Sequence, residues 1–248
     1  MNQVERVTGM ILSATPIGDY DKRIVILTKE KGKITAFAKG ARKPNSPLLG
    51  LTNPFSFGEF EIYEGKNSNT LMQGRITNYF MELNTDFEGA YYGFYFMEIA
   101  DYYTKEYNDE REMLKLLYQT LRALTSGKIN RQLVRYIYEL KTLAIQGEAP
   151  ESFQCANCGV SEREFVFSSM NHGIICSECV GIAPDAITLC NSTLYAMQFI
   201  IATGIEKLYT FAVSEEVLEE LGRMMSQYMK THVDKRFKSL EILEMCLK

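Results

Sequence analysis

Two cysteine pairs constrain this chain more than anything else in it. The stretch QCANCGVSEREFVFSSMNHGIICSECVG reads Cys155-x-x-Cys158, then seventeen residues, then Cys176-x-x-Cys179. A Cys-x-x-Cys turn sets two sulfurs on one side of a tight knuckle. Two such knuckles supply four soft, negative ligands in a tetrahedron, which Zn2+ accepts without geometric cost. Gly159 follows the first pair, Gly181 lies just after the second, and EFVFSS and GIIC have the lengths of a small hairpin, the shape of a zinc ribbon. The expected site is one structural Zn2+ on Cys155, Cys158, Cys176 and Cys179, because four thiolates leave no open position for a reacting water. A redox Cys-x-x-Cys comes as a single pair in a βαβ setting, and disulfides are out of place in a cytosolic chain. His172 is a weaker alternative ligand. Cys190 and Cys246 sit in helical patterns and read as small core residues, and His232 as a surface residue near a helix end.

The first eighty residues read as β. VTGMILS, KRIVILTKE and KITAFAKGA are short runs rich in β-branched residues, separated by Pro16 with Gly18-Asp19 and by Lys31-Gly32. The loop RKPNSPLLG follows, then FSFGEFEIYEG and TLMQGRITNYF around the polar turn Lys66-Asn67-Ser68-Asn69. Five strands with no long helix suggest a small closed barrel; an OB-type barrel fits, and an SH3-like barrel or small sandwich fits almost as well.

From residue 82 the period changes to helical. FEGAYYGFYFMEIADYYTKEY carries Tyr91, Tyr95, Ile99, Tyr102, Tyr103 and Tyr107 at helical spacing, a buried face rather than a stacking surface, since the segment is acidic. REMLKLLYQTLRALTSGK stops at Ser126-Gly127, and INRQLVRYIYELKTLAIQG closes at Gly147. TLYAMQFIIAT and SEEVLEELGRMMSQYMKTHV follow, the latter with Ser214 as N-cap, and KSLEILEMCLK reads as a last short helix. The expected class is α+β: an OB-type barrel domain over residues 1–81, a helical domain over 82–151 and 183–248, and a zinc module over 152–182 inserted in it.

Among the catalytic motifs, no P-loop, Gly-x-Gly-x-x-Gly, His-Glu-x-x-His or Gly-x-Ser-x-Gly is present. Two histidines leave little room for acid-base chemistry near neutral pH, so an enzyme is the disfavoured class. The front end lacks a basic stretch followed by an apolar run, and no apolar run approaches the about 18 residues of a membrane span. The default compartment is the cytoplasm.

Formal net charge is -4, yet it is unevenly placed: residues 1–81 carry eleven Lys/Arg against seven Asp/Glu, and the remainder sixteen against twenty-four. Between Lys22 and Lys43 stand eight basic residues and one acid, Glu30. On a strand, KITAFAK puts Lys33, Thr35, Phe37 and Lys39 on one face, and Ile34, Ala36 and Ala38 on the other. The second face is fit to line a barrel. The first sets an aromatic ring between lysines, the pattern with which barrels hold single-stranded nucleic acid. Lys22, Arg23, Lys33, Phe37, Lys39, Arg42 and Lys43 are therefore the expected DNA contacts. The bland reading makes the lysines solubilising and buries Phe37 under a neighbour.

The chain resembles the RecO family of bacterial recombination mediators. The matching stretches are GDYDKRIVILTKEKGKITAFAKGARKPNSPLLGLTNPF, the cysteine pairs and the closing KSLEIL, in the right order along essentially the whole length. The resemblance implies an N-terminal OB-fold, a helical domain with an inserted zinc module, and a non-enzymatic role. It implies binding of single- and double-stranded DNA, annealing of complementary strands, and loading of a RecA-type recombinase with a RecR-type partner onto DNA coated by single-strand binding protein (SSB). It also implies capture of the acidic C-terminal tail of SSB by the helical domain, and association with the nucleoid during repair. Two other classes compete: a protein-interaction adaptor working through the acidic helices, and an RNA-binding OB-fold protein.

Overall fold

The computed structural model describes residues 3–246. Five strands close a barrel: β1 (Gln3–Ile17), β2 (Asp21–Thr28), β3 (Gly32–Ala38), β4 (Phe57–Glu64) and β5 (Asn69–Asn78), in the order β1-β2-β3-β5-β4. All neighbours are antiparallel except β3 and β5, which run parallel through Ala36 opposite Asn69 and Phe37 opposite Thr70. That is the OB-type closure; the SH3-like and sandwich alternatives fall away. One long strand serves two walls. The first part of β1 pairs with β4 and the second with β2, and the register slips between Ile11 and Ser13. Such a bulge adds local twist where a strand must turn a barrel corner.

The alternation expected on β3 is present: Ile34, Ala36 and Ala38 are buried, while Lys33, Thr35 and Phe37 are half-buried. With Val7, Ile24, Ile26, Phe60, Ile62 and Leu71 they form one apolar core. Each side chain that leaves water there contributes on the order of 25 cal/mol per Å2 of apolar surface.

By its internal packing the chain divides into two compact units, Met1–Thr125 with Phe237–Lys248, and Ser126–Arg236. The first unit thus takes in helices as well as the barrel. Its α1 (Phe87–Tyr103) starts where Asp86 accepts a hydrogen bond from the Gly89 amide (3.0 Å). Tyr92, Tyr95, Phe96 and Ile99 are buried. Helix α2 (Arg111–Ser126) stops before Gly127, whose φ is +64°. The closing segment forms α6 (Lys238–Cys246) and packs on α1, with Phe237 edge-on to Tyr95 and Ser239 donating to Glu98 (2.8 Å). The aromatic stripe is therefore core in part only. Tyr95, Ile99 and Tyr103 are buried, but Tyr102 is exposed and Tyr107 lies beyond the helix end, 65% exposed.

In the second unit α3 (Arg131–Gln146) is capped by Asn130 and closed by left-handed Gly147. Helices α4 (Asn191–Ala202) and α5 (Glu215–His232) pack against it, and Ser214 caps α5 as expected. Between α3 and α4 lies the cysteine module. Its hairpin, β6 (Phe165–Ser168) and β7 (Gly173–Cys176), gains a short third strand, β8 (Ile187–Thr188), giving the order β7-β6-β8. Cys190 is half-buried at the start of α4, and Cys246 is exposed, so neither is the core residue its helical spacing suggested. Tight periodicity places a residue on a helix but not under a neighbour. Among the described residues no helix is long and apolar enough to cross a membrane.

Candidate metal centre and nucleic-acid interface

Each cysteine pair folds as a knuckle. In the first, the Gly159 amide donates to the Cys155 carbonyl (2.9 Å), and the Cys155 amide donates to the Val160 carbonyl (2.8 Å). Gly159 sits at φ +75°, a left-handed position that glycine takes without a Cβ clash. In the second, the Cys179 amide donates to the Cys176 carbonyl (2.9 Å) and the Ile182 amide to the Cys179 carbonyl (3.1 Å). Because Cys176 ends β7, the hairpin delivers the second knuckle to the first. The Ala156 amide seals the approach by donating to the Ile174 carbonyl (2.8 Å).

The four sulfurs come together within 4.8 Å of one another. A tetrahedron with metal–sulfur bonds of about 2.3 Å has sulfur–sulfur edges of about 3.8 Å, and the Cys158 and Cys176 Sγ atoms stand 3.7 Å apart. That is far beyond a disulfide bond of about 2.05 Å, and all four cysteines are free.

Protonation chemistry points the same way. Burial raises the Cys155 thiol, but amide donors from Cys176, Cys158 and Asn157 outweigh it and hold the group down at about 6. The Val160 amide favours the Cys158 thiolate, yet burial and the sulfurs of Cys155, Cys179 and Cys176 push it up to about 12. Neighbouring sulfurs cannot all carry charge unaided. A cation at their centre removes that conflict, so the residues fit a four-thiolate metal ion. Asn157 supports the set by donating from Nδ2 to the Cys179 Sγ (3.2 Å). This partner was missed in the sequence, although its place inside the first knuckle was a usable signal. His172 and His232 stack on each other, 4.2 Å between ring centres, and His232 Nε2 contacts the Ser169 carbonyl (2.7 Å). Neither belongs to the sulfur cluster.

The module has little core of its own: Ile175, Ala183 and the cysteines, with Val160, Phe165, Val166 and Ala186 around them. Besides the contact of His232 with the Ser169 carbonyl, one carboxylate ties it to α5. Asp185 accepts from the Ser168 hydroxyl (2.5 Å), the Met170 amide (3.0 Å) and Gln227 Nε2 (3.0 Å). Burial raises the pKa of Asp185, but the Ser168 hydroxyl and the amides of Met170, Asp185 and Ser169 outweigh it and leave the carboxyl below its ordinary value.

On the barrel, the expected cations separate into two sets. Lys33 is spent inside the unit, its ammonium reaching the Asp101 carboxylate on α1 (3.1 Å). Lys22 is half-buried and donates to Thr52 Oγ1 (3.0 Å) and Asn53 (3.4 Å). Burial, then the charge of Arg42, lowers its pKa. Arg23, Lys39, Arg42 and Lys43 are exposed, and among the described residues none of them pairs with a carboxylate. Lys43 lies over the Tyr20 ring, 5.6 Å from its centre, and Arg42 Nη1 donates to the Gly18 carbonyl (3.2 Å).

The bend that carries this set is built by the backbone. Asp21 accepts from the Gly40 amide (2.7 Å), the Arg42 amide donates to the Tyr20 carbonyl (2.8 Å), and Gly40 sits at φ +67°. Cross-strand pairing sets Arg23 opposite Phe37, on the same face. Two residues of this candidate surface were missed in the sequence: Tyr20, under Lys43, and Asp21, whose carboxylate holds the bend.

A closed OB-type barrel with exposed cations on its outer face, joined in one chain to a helical unit carrying four clustered cysteines, defines a class: OB-type barrel proteins with a four-cysteine module that could hold a metal ion. The comparisons narrow it. The family model for the recombination protein O N terminus matches residues 1–80, and that for its C terminus matches residues 84–241. Proteins named DNA repair protein RecO are similar over nearly full length. That of Alkaliphilus metalliredigens is 31% identical over 96% of this chain and 97% of its own. That of Acetivibrio thermocellus is 30% identical over 96% of both, and that of Bacillus subtilis is 27% identical over 95% and 92%. The chain belongs to the RecO family, and with it to DNA repair and recombination.

Proposed function

We propose that this protein is a recombination mediator that grips DNA on the outer face of its barrel. The observation that carries the reading is the exposed set Arg23, Lys39, Arg42 and Lys43 beside Phe37, cations with no carboxylate partner in a chain that is acidic overall. Lys22 and Lys33 serve the grip indirectly: their internal hydrogen bonds hold β2 and β3 in place. Such cations displace the counterions condensed on DNA phosphates, so binding is driven by ion release and weakens steeply with salt. Neutralising the backbones of two strands lowers their repulsion, and complementary strands then anneal without ATP.

In this reading the barrel, residues 1–81, is the DNA-binding domain, and the helical residues carry the zinc module. Zn2+ on Cys155, Cys158, Cys176 and Cys179 holds that module folded and takes no part in a reaction. The protein works in the cytoplasm, at the nucleoid during repair, without turnover of its own. A RecR-type partner and the acidic C-terminal tail of SSB bring it to coated DNA, where recombinase is loaded.

The test is anisotropy of a labelled single-stranded oligonucleotide against salt concentration, with native protein and with Lys39→Ala/Arg42→Ala/Lys43→Ala. Three lost phosphate contacts make the log-log salt slope shallower by about 2, with a large drop in affinity at low salt. Unchanged affinity and slope in the folded variant would remove the grip from this surface.

A further inference from the structure

A second feature lies on the barrel surface beside the basic cluster and shares Phe37 with it. A polar cavity of about 340 Å3 is lined by Thr35 and Phe37 of β3, Lys66 of the β4–β5 turn, Asn69 at the start of β5, and Glu106 and Tyr107 beyond α1. Tyr107 is the unusual member. Its backbone is left-handed at φ +58° and its side chain is 65% exposed. A bulky L residue holds that conformation only where its surroundings impose it.

Hydrogen bonds and close backbone packing impose it here. The Lys33 amide donates to the Lys105 carbonyl (3.1 Å). Buried Glu110 accepts from the Lys105 amide (3.0 Å) and from Asn108 Nδ2 (3.0 Å). Gly32 lets the segment approach so closely that a Cβ there would stand 2.3 Å from the Asn108 carbonyl oxygen. The backbone thus holds an exposed aromatic residue at a cavity that a second aromatic residue, Phe37, also lines. Neither Phe37 nor Tyr107 packs on another ring among the described residues.

We propose that this cavity receives one unpaired nucleobase, stacked on Phe37 and Tyr107, and is the element by which the barrel distinguishes single strands from duplex. The inference rests on the DNA-binding reading above. Every base offers a π-face to such rings, whereas in a duplex those faces are already stacked. Charge orients the strand. Glu106 repels phosphate from the cavity, while Lys66 on the rim and Arg23 opposite Phe37 attract it. The base turns in and the backbone runs outside, continuing toward Lys39 and Lys43.

The experiment measures binding of a labelled single-stranded oligonucleotide and of a duplex of the same length to native protein, Tyr107→Ala and Tyr107→Phe. A single strand carrying 2-aminopurine, a fluorescent adenine analogue, reports stacking directly. Tyr107→Ala weakens single-strand binding roughly tenfold, leaves duplex binding within about twofold and leaves the salt slope unaltered, since no phosphate contact is lost. Tyr107→Phe keeps native affinity, and 2-aminopurine is quenched by native protein but less by the alanine variant. Equal losses on both DNAs, or native single-strand affinity in Tyr107→Ala, would overturn the cavity's role while leaving the basic grip standing. A native protein that binds neither DNA overturns both readings.

Discussion

The barrel and the cysteine module solve the same problem by different means. The barrel buries Ile24, Ile26, Ile34, Phe60 and Ile62 in one apolar core and closes its own edges. The module has about thirty residues, short strands, and a centre made of sulfur rather than hydrocarbon. Small folds cannot bury enough apolar surface to offset chain entropy and turn to metals or disulfides instead. The contrast teaches where each region is vulnerable: one to loss of volume, the other to loss of a ligand.

The largest expected effect follows from the ligand side. Structural zinc contributes about 10–16 kcal/mol to folding in small zinc domains, so on the zinc reading proposed above Cys176→Ser removes the metal and unfolds the module. Metal content falls to zero, limited proteolysis opens the segment between Cys155 and Asp185, and the barrel stays protected. A protease-resistant module without metal would break the comparison. On the volume side, Ile34→Ala opens a cavity in the barrel core at a cost of about 2–5 kcal/mol. Urea unfolding monitored on the first unit should move to lower concentration while zinc content holds. A loss of zinc would show that the two regions depend on each other.

The smallest effect sharpens the boundary between module and α5. Asp185 has a depressed folded-state pKa, so its stabilisation is present above the pKa of an unfolded aspartate and is lost as pH falls through the folded value. Asp185→Asn should cost about 1–2 kcal/mol at neutral pH and flatten the acid side of the stability profile. Thermal melts from pH 7 downward give both numbers; identical profiles would place the anchor elsewhere.

How much of this was readable beforehand depends on sequence distance. The knuckles, the caps at Ser214 and Gly147, and the alternation of β3 are local patterns, and each stands where it was expected. The sulfur cluster follows from two such patterns meeting. What stayed hidden was long-range. Nothing near Lys33 announces that Asp101 will take its charge. Nothing in a helical run of tyrosines says that the helix stops at Tyr103 and leaves Tyr107 stranded beside β3. The third strand, Ile187–Thr188, is too short to show a period and exists only because β6 offers an edge. The lesson for the cation cluster is similar: counting charge found the surface, and only tertiary pairing sorted Lys22 and Lys33 from Arg23, Lys39, Arg42 and Lys43.

One detail of the barrel has a mechanical consequence. Its circumference is joined by long antiparallel ladders except between β3 and β5, where only Ala36 with Asn69 and Phe37 with Thr70 meet. A closed tube breathes at its shortest weld, so amide hydrogens along this line should exchange faster than those in the long ladders. Phe37 belongs to that line, and Asn69 beside it donates to the Thr35 carbonyl (3.0 Å) like a stitch across it. The surface proposed to hold a base is therefore also the hinge of the tube. A strand lying across it acts as a splint, and slower exchange at Thr70 would be its signature.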